Sequence, residues 1–164
     1  INGYIYWTKS VSPAVADVAV TSPEPCVVDV RVLLQNGQQA TSGVLKEIED
    51  ALNASDIRPL TDKVTVSAPE TVAFDIDVTF YIPQPDAASA TVIAAAATQA
   101  VEEYVTWQTS KMGRDINPSY FYAILMDSGI KRADIKKPVF TEIPKGSVAV
   151  LKKCTVTFGG VEDE

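Results

Sequence analysis

Paired carboxylates are the residues of this chain whose spacing could serve chemistry. Asp29 and Asp75 occupy the same place in two copies of one sequence pattern, and so do Glu24 and Glu70. Two carboxylates facing each other across a cleft, one of them with a raised pKa, would hydrolyse a glycosidic bond. Here they fall on the polar faces of strands or in turns beside proline, which reads as a solvated surface. Asp75 and Asp77 share one strand face and could offer oxygens to a cation, but a hard cation draws about six to eight oxygens, often from one loop. No such loop is present in the sequence. Histidine is absent, which removes the usual general base and the commonest metal ligand. A Ser-His-Asp triad, a Cys-His dyad and a His-containing zinc site are thereby excluded. Cys26 and Cys154 sit in apolar strand surroundings and read as buried, reduced thiols, the alternative being a disulfide that would need their Cα atoms within ~7 Å. The expectation is no catalytic residue, no metal and no cofactor.

The repeat that pairs those acids also organises the chain. Val18-Ala19-Val20-Thr21-Ser22-Pro23-Glu24 is echoed by Val64-Thr65-Val66-Ser67-Ala68-Pro69-Glu70, and the match runs on without a gap, 25–32 over 71–78. Each copy reads as a strand, a break at proline and a second strand, because proline lacks an N–H and fixes φ. Val28, Val30, Val32 and Leu34 alternate with Asp29 and Arg31, which predicts a strand with one buried and one wet face. Asn36-Gly37 is a turn signal. Thr41 or Ser42 caps a helix whose stripe is Val44, Leu45, Ile48 and Leu52, ending at 53–55. Ile57-Arg58-Pro59-Leu60-Thr61-Asp62 is a connection, and Lys63 to Ala68 a strand.

In the second half Phe74, Ile76, Val78 and Phe80 share a strand face, with Asp75, Asp77 and Thr79 opposite. Asp86 is expected to cap the longest helix, running to about Ser110, with Ile93, Ala97, Ala100, Tyr104 and Trp107 on its buried stripe. Its Ala94–Ala97 run lets it lie close to a sheet. Gly113 is expected to stop it. Asn117-Pro118 opens a short helix as cap and first residue, which ends near Ser128-Gly129. Ile130 to Lys137 and Val148 to Phe158 are strands, Gly159-Gly160 a turn, and 161–164 an acidic tail.

The fold class this predicts is α+β: two small split β-α-β modules, each a mixed sheet with helices on one face. The domains are an N-terminal arm at 1–14, a β-β-α-β module at 15–69, a β-α-α-β-β module at 70–160 and the tail at 161–164. The repeat then straddles the two modules, or else records an old duplication of a strand–proline–strand–helix unit; both readings stay open. Tyr4, Tyr6 and Trp7 crowd the arm and dock either on this chain's own core or on a region upstream. The opening Ile1-Asn2-Gly3, with neither an initiator Met nor a signal peptide, suggests a piece of a longer protein.

Against 21 acidic residues stand 14 basic ones, a net charge of −7. That argues against a nucleic-acid or anionic-membrane surface, which needs clustered Lys and Arg. The short clusters Lys131-Arg132, Lys136-Lys137 and Lys152-Lys153 read as solvated strand edges. No apolar run reaches the ~20 residues of a membrane helix.

Four stretches carry a family resemblance: Val15-Ala16-Asp17-Val18-Ala19-Val20-Thr21-Ser22-Pro23, Arg58-Pro59-Leu60-Thr61-Asp62-Lys63-Val64-Thr65-Val66, Gly113-Arg114-Asp115-Ile116 and Thr155-Val156-Thr157-Phe158-Gly159-Gly160. In this order and spacing the chain resembles the central and C-terminal parts of the baseplate J-like proteins of contractile phage tails and related injection systems. The resemblance implies a structural, non-enzymatic component of a tail baseplate wedge, holding neighbouring wedges in the ring around the hub. It implies other wedge proteins and neighbouring copies as partners, and the virion as location after assembly in the bacterial cytoplasm. It implies neither nucleic acid, membrane span nor small-molecule substrate. Cys26 departs from the glycine the family often has there. Two other functions are to be separated from this one. A non-enzymatic ligand- or carbohydrate-binding module would use the wet faces of Asp29, Asp75 and Asp77, and a hydrolase would need a deep pocket with two facing carboxylates.

Overall fold

The computed structural model describes residues 2–54 and 61–163. The expected connection at Ile57-Arg58-Pro59-Leu60 lies outside them. The elements run α1 (Asn2–Val11), β1 (Val15–Thr21), β2 (Val27–Leu34), α2 (Ser42–Leu52), β3 (Lys63–Ser67), β4 (Glu70–Pro83), α3 (Ala90–Thr109), α4 (Pro118–Asp127), β5 (Arg132–Lys137) and β6 (Ser147–Glu162). Two three-stranded sheets result, ordered β1-β2-β3 and β5-β4-β6, so the fold class is α+β with two small β-α-β modules. By internal contacts the chain forms two compact units. One is 1–72 with 109–114 and 143–148; the other is 73–108, 115–142 and 149–164.

In the first unit β1 and β2 pair antiparallel, and β2 and β3 pair parallel. A parallel neighbour cannot be reached by a tight turn, and α2 lies on the crossover. The alternating valines meet as expected: Val18, Val20, Val28, Val30, Val32 and Val64 close a core with Ile48 and Leu52 of α2. The arm is a helix. Tyr4, Ile5 and Val11 of α1 pack on this core, while Tyr6 and Trp7 stay exposed.

The other face of this sheet is not wet throughout. Leu33 is 0% exposed and packs with Ala19, Met112 and Val148. Met112 and Val148 arrive on the segments 109–114 and 143–148, from far along the chain. Asn36 and Gly37 both adopt left-handed backbone, φ 59° and 71°, the mirror-image turn that Asn-Gly favours. A Cβ on Gly37 would stand 2.9 Å from the Thr109 carbonyl oxygen, so the bare glycine also admits the 109–114 segment. Gly113 is therefore no helix stop. α3 ends at Thr109, and the Gly113 N–H donates to the Ser147 carbonyl at 2.9 Å.

The two repeat copies part company. The strands of the first, β1 and β2, pair with each other. Those of the second separate: β3 joins the first sheet and β4 the second. In the second unit Phe74, Ile76, Val78, Phe80 and Ile82 of β4 are buried, and β5 pairs antiparallel to β4. Small Ala97 and Ala100 on α3 are buried, as are Tyr104, Phe121 and Leu125. The Tyr104 ring stacks on Phe121 at 4.6 Å between centroids and meets Phe74 edge-on at 6.5 Å.

Three local expectations are corrected. Asp86 does not cap α3; it lies in a 3-10 stretch, Gln84–Ser89, and α3 begins at Ala90. Gln108, not Trp107, completes the buried stripe of α3, because its amide hydrogen-bonds Tyr104 and the Asp115 carbonyl. Gly159-Gly160 is no turn; β6 runs through it to Glu162. The expected caps of α4 stand: Asn117 Oδ1 accepts from the N–H groups of Ser119 and Tyr120 at 3.0 and 3.4 Å, and Gly129 follows the helix at φ 89°.

Candidate interface surfaces

The structure gives each singled-out carboxylate its own surroundings. Glu24 and Glu70 are exposed, in the β1–β2 turn and at the start of β4. Asp29 accepts from Arg31 Nε at 2.8 Å, two residues on along the same face of β2. Asp75 accepts from Lys137 Nζ at 2.9 Å. That bond, assisted by the charges of Lys137, Lys152 and Lys153, holds the Asp75 carboxyl below its ordinary value against the opposing effect of desolvation. Lys137 is raised by the same bond. A glycosidase acid needs the opposite shift. Among the described residues no group of three or more Cys, Asp or Glu could hold a metal ion. No helix there is long and apolar enough to cross a membrane.

Arg132 gathers the end of the second sheet. Its guanidinium lies 3.7 Å from the centroid of Tyr81 on β4. It donates to Glu162 on β6 through Nε at 2.9 Å and Nη2 at 2.6 Å, and to Asp134 at 2.8 Å. On the neighbouring strand a Cβ at Gly159 would sit 2.5 Å from the Tyr81 ring; only glycine lets that ring lie flat there, an aromatic covering a strand glycine. The hydrogen bond from Arg132 sets the Glu162 carboxyl low and its own pKa high.

A pH dependence follows, and its sign is determinate. Asp75 and Glu162 have lowered folded-state pKa values, so their stabilisation is present above the ordinary carboxylate pKa and lost as pH falls through the lowered folded values. Acid titration followed on the side-chain carboxyl carbons by NMR should show both protonating below the ordinary value for their residue type. Asp75→Asn with Glu162→Gln should flatten the acid limb of the stability curve. Both pairs are solvent-exposed, so high salt should weaken the effect.

Sequence reasoning missed Asp17. Its carboxylate accepts the N–H of Val18 at 3.0 Å and, 95 residues on, the N–H of Met112 at 2.9 Å. It thereby holds 109–114 over the Leu33 side of the sheet. An aspartate inside a valine-rich strand was the available signal. Removing a charged acceptor from such bonds costs about 1.5–3 kcal/mol, so Asp17→Ala should lose roughly that in urea unfolding, and Asp17→Asn, which keeps one oxygen acceptor, distinctly less. In the Gly113-Arg114-Asp115 stretch Arg114 donates to Ser110 Oγ at 3.3 Å. Both cysteines are free and exposed rather than buried. Cys26 adopts φ 63°, a conformation that suits glycine.

What the surface does offer is apolar. Tyr6 and Trp7 meet edge-to-face at 5.3 Å on the outside of α1. In the second unit Tyr120 lies 4.1 Å from Trp107, with Tyr122 exposed nearby on α4. Val139 and Phe140 are 67% and 59% exposed, and Val150, Phe158 and Val161 are exposed along β6. Contiguous apolar patches of this kind, where side chains adjoin, are candidates for interaction surfaces, whereas single exposed apolar residues are ordinary.

Comparisons with known proteins find relatives for both halves of the chain. Residues 2–68 match the model of the baseplate J-like central domain, and residues 74–157 that of the baseplate J-like protein C-terminal domain. Baseplate protein J of Escherichia phage P2 is 37% identical over 141 residues, 85% of this chain and 45% of that protein. The chain thus spans under half the length of that relative. The six-fold-symmetrised electron cryo-microscopy structure of the anti-feeding prophage baseplate contains a similar fold: TM-score 0.66 at 17% identity, over 92% of this chain and 36% of that one.

Proposed function

Since this chain belongs to the baseplate J-like family, we propose that it is a structural, non-enzymatic part of a contractile tail baseplate, joining neighbouring wedges into the ring around the hub. The observation that carries this is the succession of the two family domains, central then C-terminal, along 2–68 and 74–157. The surfaces are consistent with the role. Aromatic and aliphatic side chains stand exposed on α1, α4 and β6, whereas Asp29 and Asp75, the carboxylates suited to chemistry, are held by Arg31 and Lys137. Its partners are other wedge proteins and neighbouring copies, and its place is the tail baseplate of the particle, with assembly in the bacterial cytoplasm. The modules at 15–69 and 70–160 serve as the connecting bodies.

The test uses the full-length protein in assembling tails. A photo-reactive residue in place of Trp7 or Phe158 should yield crosslinks to other baseplate subunits or to neighbouring copies. A protein missing from purified tails, or one that crosslinks to nothing in them from either position, overturns the reading.

A further inference from the structure

One groove on this acidic chain has the opposite charge. It lies in the second unit where β5 ends at the cis Lys137–Pro138 bond, has a volume of about 420 Å³, and is lined by Lys136, Lys137 and Lys152 over a floor that includes Phe74 and Ile116. Lys153 adds its charge beside Lys152. Three ammonium groups thus line the groove against one lining carboxylate, Asp75, with Asp77 acting on Lys137 from outside the lining, on a chain whose net charge is −7. Among the described residues Lys137 alone of the four lysines forms an ion pair, with Asp75. Glu142 follows Thr141 in sequence but does not line the groove.

The rim is apolar and pinned. Val139 lines the groove and Phe140 follows it, both among the most exposed apolar residues of the chain. Their segment does not hang free: the Ile116 N–H donates to the Thr141 carbonyl at 2.9 Å, the Thr141 N–H returns to the Ile116 carbonyl at 3.2 Å, and Thr141 Oγ1 donates to the Val139 carbonyl at 3.1 Å. The backbone that carries these side chains is already fixed by hydrogen bonds, so a ligand that covers them need order only the side chains and not the loop.

We propose that this groove docks an acidic segment of a partner protein in which carboxylates alternate with apolar side chains. The carboxylates would lie against Lys136 and Lys152, and an apolar side chain would cover Val139 and Phe140. Charge complementarity selects the acidic partner. The apolar rim selects a peptide over a polyphosphate chain, which brings no apolar anchor. The volume suits a few side chains, within the range of ordinary ligand pockets. This stands on the groove itself and not on the baseplate reading.

The probe is a short fluorescent peptide of alternating glutamate and leucine, titrated into the whole chain. It should bind, more weakly as salt is raised. Lys136→Glu with Lys152→Glu should weaken it about tenfold or more, and Val139→Ser with Phe140→Ser about tenfold, with melting temperatures near that of the unmodified chain. Wholly absent binding overturns the proposal, as does binding that survives the lysine changes. Equal affinity for a glutamate-serine peptide or for a thymidine oligonucleotide removes the apolar anchor and also overturns it. Self-association of the chain that the lysine changes abolish would put a second copy in the groove, again against the proposal.

Discussion

Replacing Phe121 by alanine should lower the stability of the second unit by about 3–5 kcal/mol. Phe121 is fully buried and stacks on Tyr104, which in turn meets Phe74 and Trp107. Removing the ring leaves a void that α4, ten residues long, cannot close by shifting, because Asn117 and Pro118 hold its start. The loss is a large share of the roughly 5–15 kcal/mol that holds an ordinary domain together. Tyr104 adds a polar constraint. Its hydroxyl, buried enough that its pKa is pushed up to about 12, donates to Gln108 Oε1 at 3.2 Å, so the ring cannot simply roll into the space. The chain has two tryptophans, Trp107 in this unit and Trp7 in the other. Urea unfolding read on Trp107 fluorescence, with Trp7 replaced by Phe, should show the shift directly. A change under about 1 kcal/mol would mean that Phe121 is not the keystone these contacts describe.

Replacing Leu33 by alanine should cost the first unit about 2–5 kcal/mol, and more than Leu34→Ala. The alternation of β2 argues the reverse, since it sets Leu34 with Val28, Val30 and Val32 and leaves Leu33 among the polar positions. Leu33 is nevertheless fully buried against Ala19, Met112 and Val148, while Leu34 is only partly buried at the margin of the valine core. Trp7 fluorescence in a Trp107→Phe background reports on this unit. If Leu34→Ala proved the costlier change, the covering of the second sheet face by 109–114 and 143–148 would be wrong. The double change Asp17→Ala with Leu33→Ala should fall short of additivity, because both act on the seating of the same segment.

The residues legible in the sequence are those whose partners are local. The valines of β1 and β2, the Ile48 and Leu52 stripe, the Phe74-to-Ile82 alternation, the Asn36-Gly37 turn and the Asn117-Pro118 cap all follow from periodicity or from a backbone constraint a few residues wide. The missing histidine likewise disposed of whole reaction classes by composition alone. The order of strand and helix patterns along the chain predicted the fold class that the two sheets then displayed. Asp86 misled because a good capping type fell in a 3-10 stretch ahead of the helix, and Gly113 because its N–H is engaged by Ser147 in a segment that crosses the first sheet.

What the tertiary structure alone decided is set by contacts distant in sequence. That Leu33 is core, that Asp17 grips Met112, that the two strands of the second repeat copy go to different sheets, that Gly159 makes room for Tyr81, and that Lys136, Lys137 and Lys152 surround one groove depend on where remote segments come to rest. A hydrophobic pattern records which residues leave water, but not which of two faces a segment from another part of the chain will cover. Local sequence therefore determined the elements and their inner faces, and the pairing of distant segments determined the surfaces through which this protein can meet another.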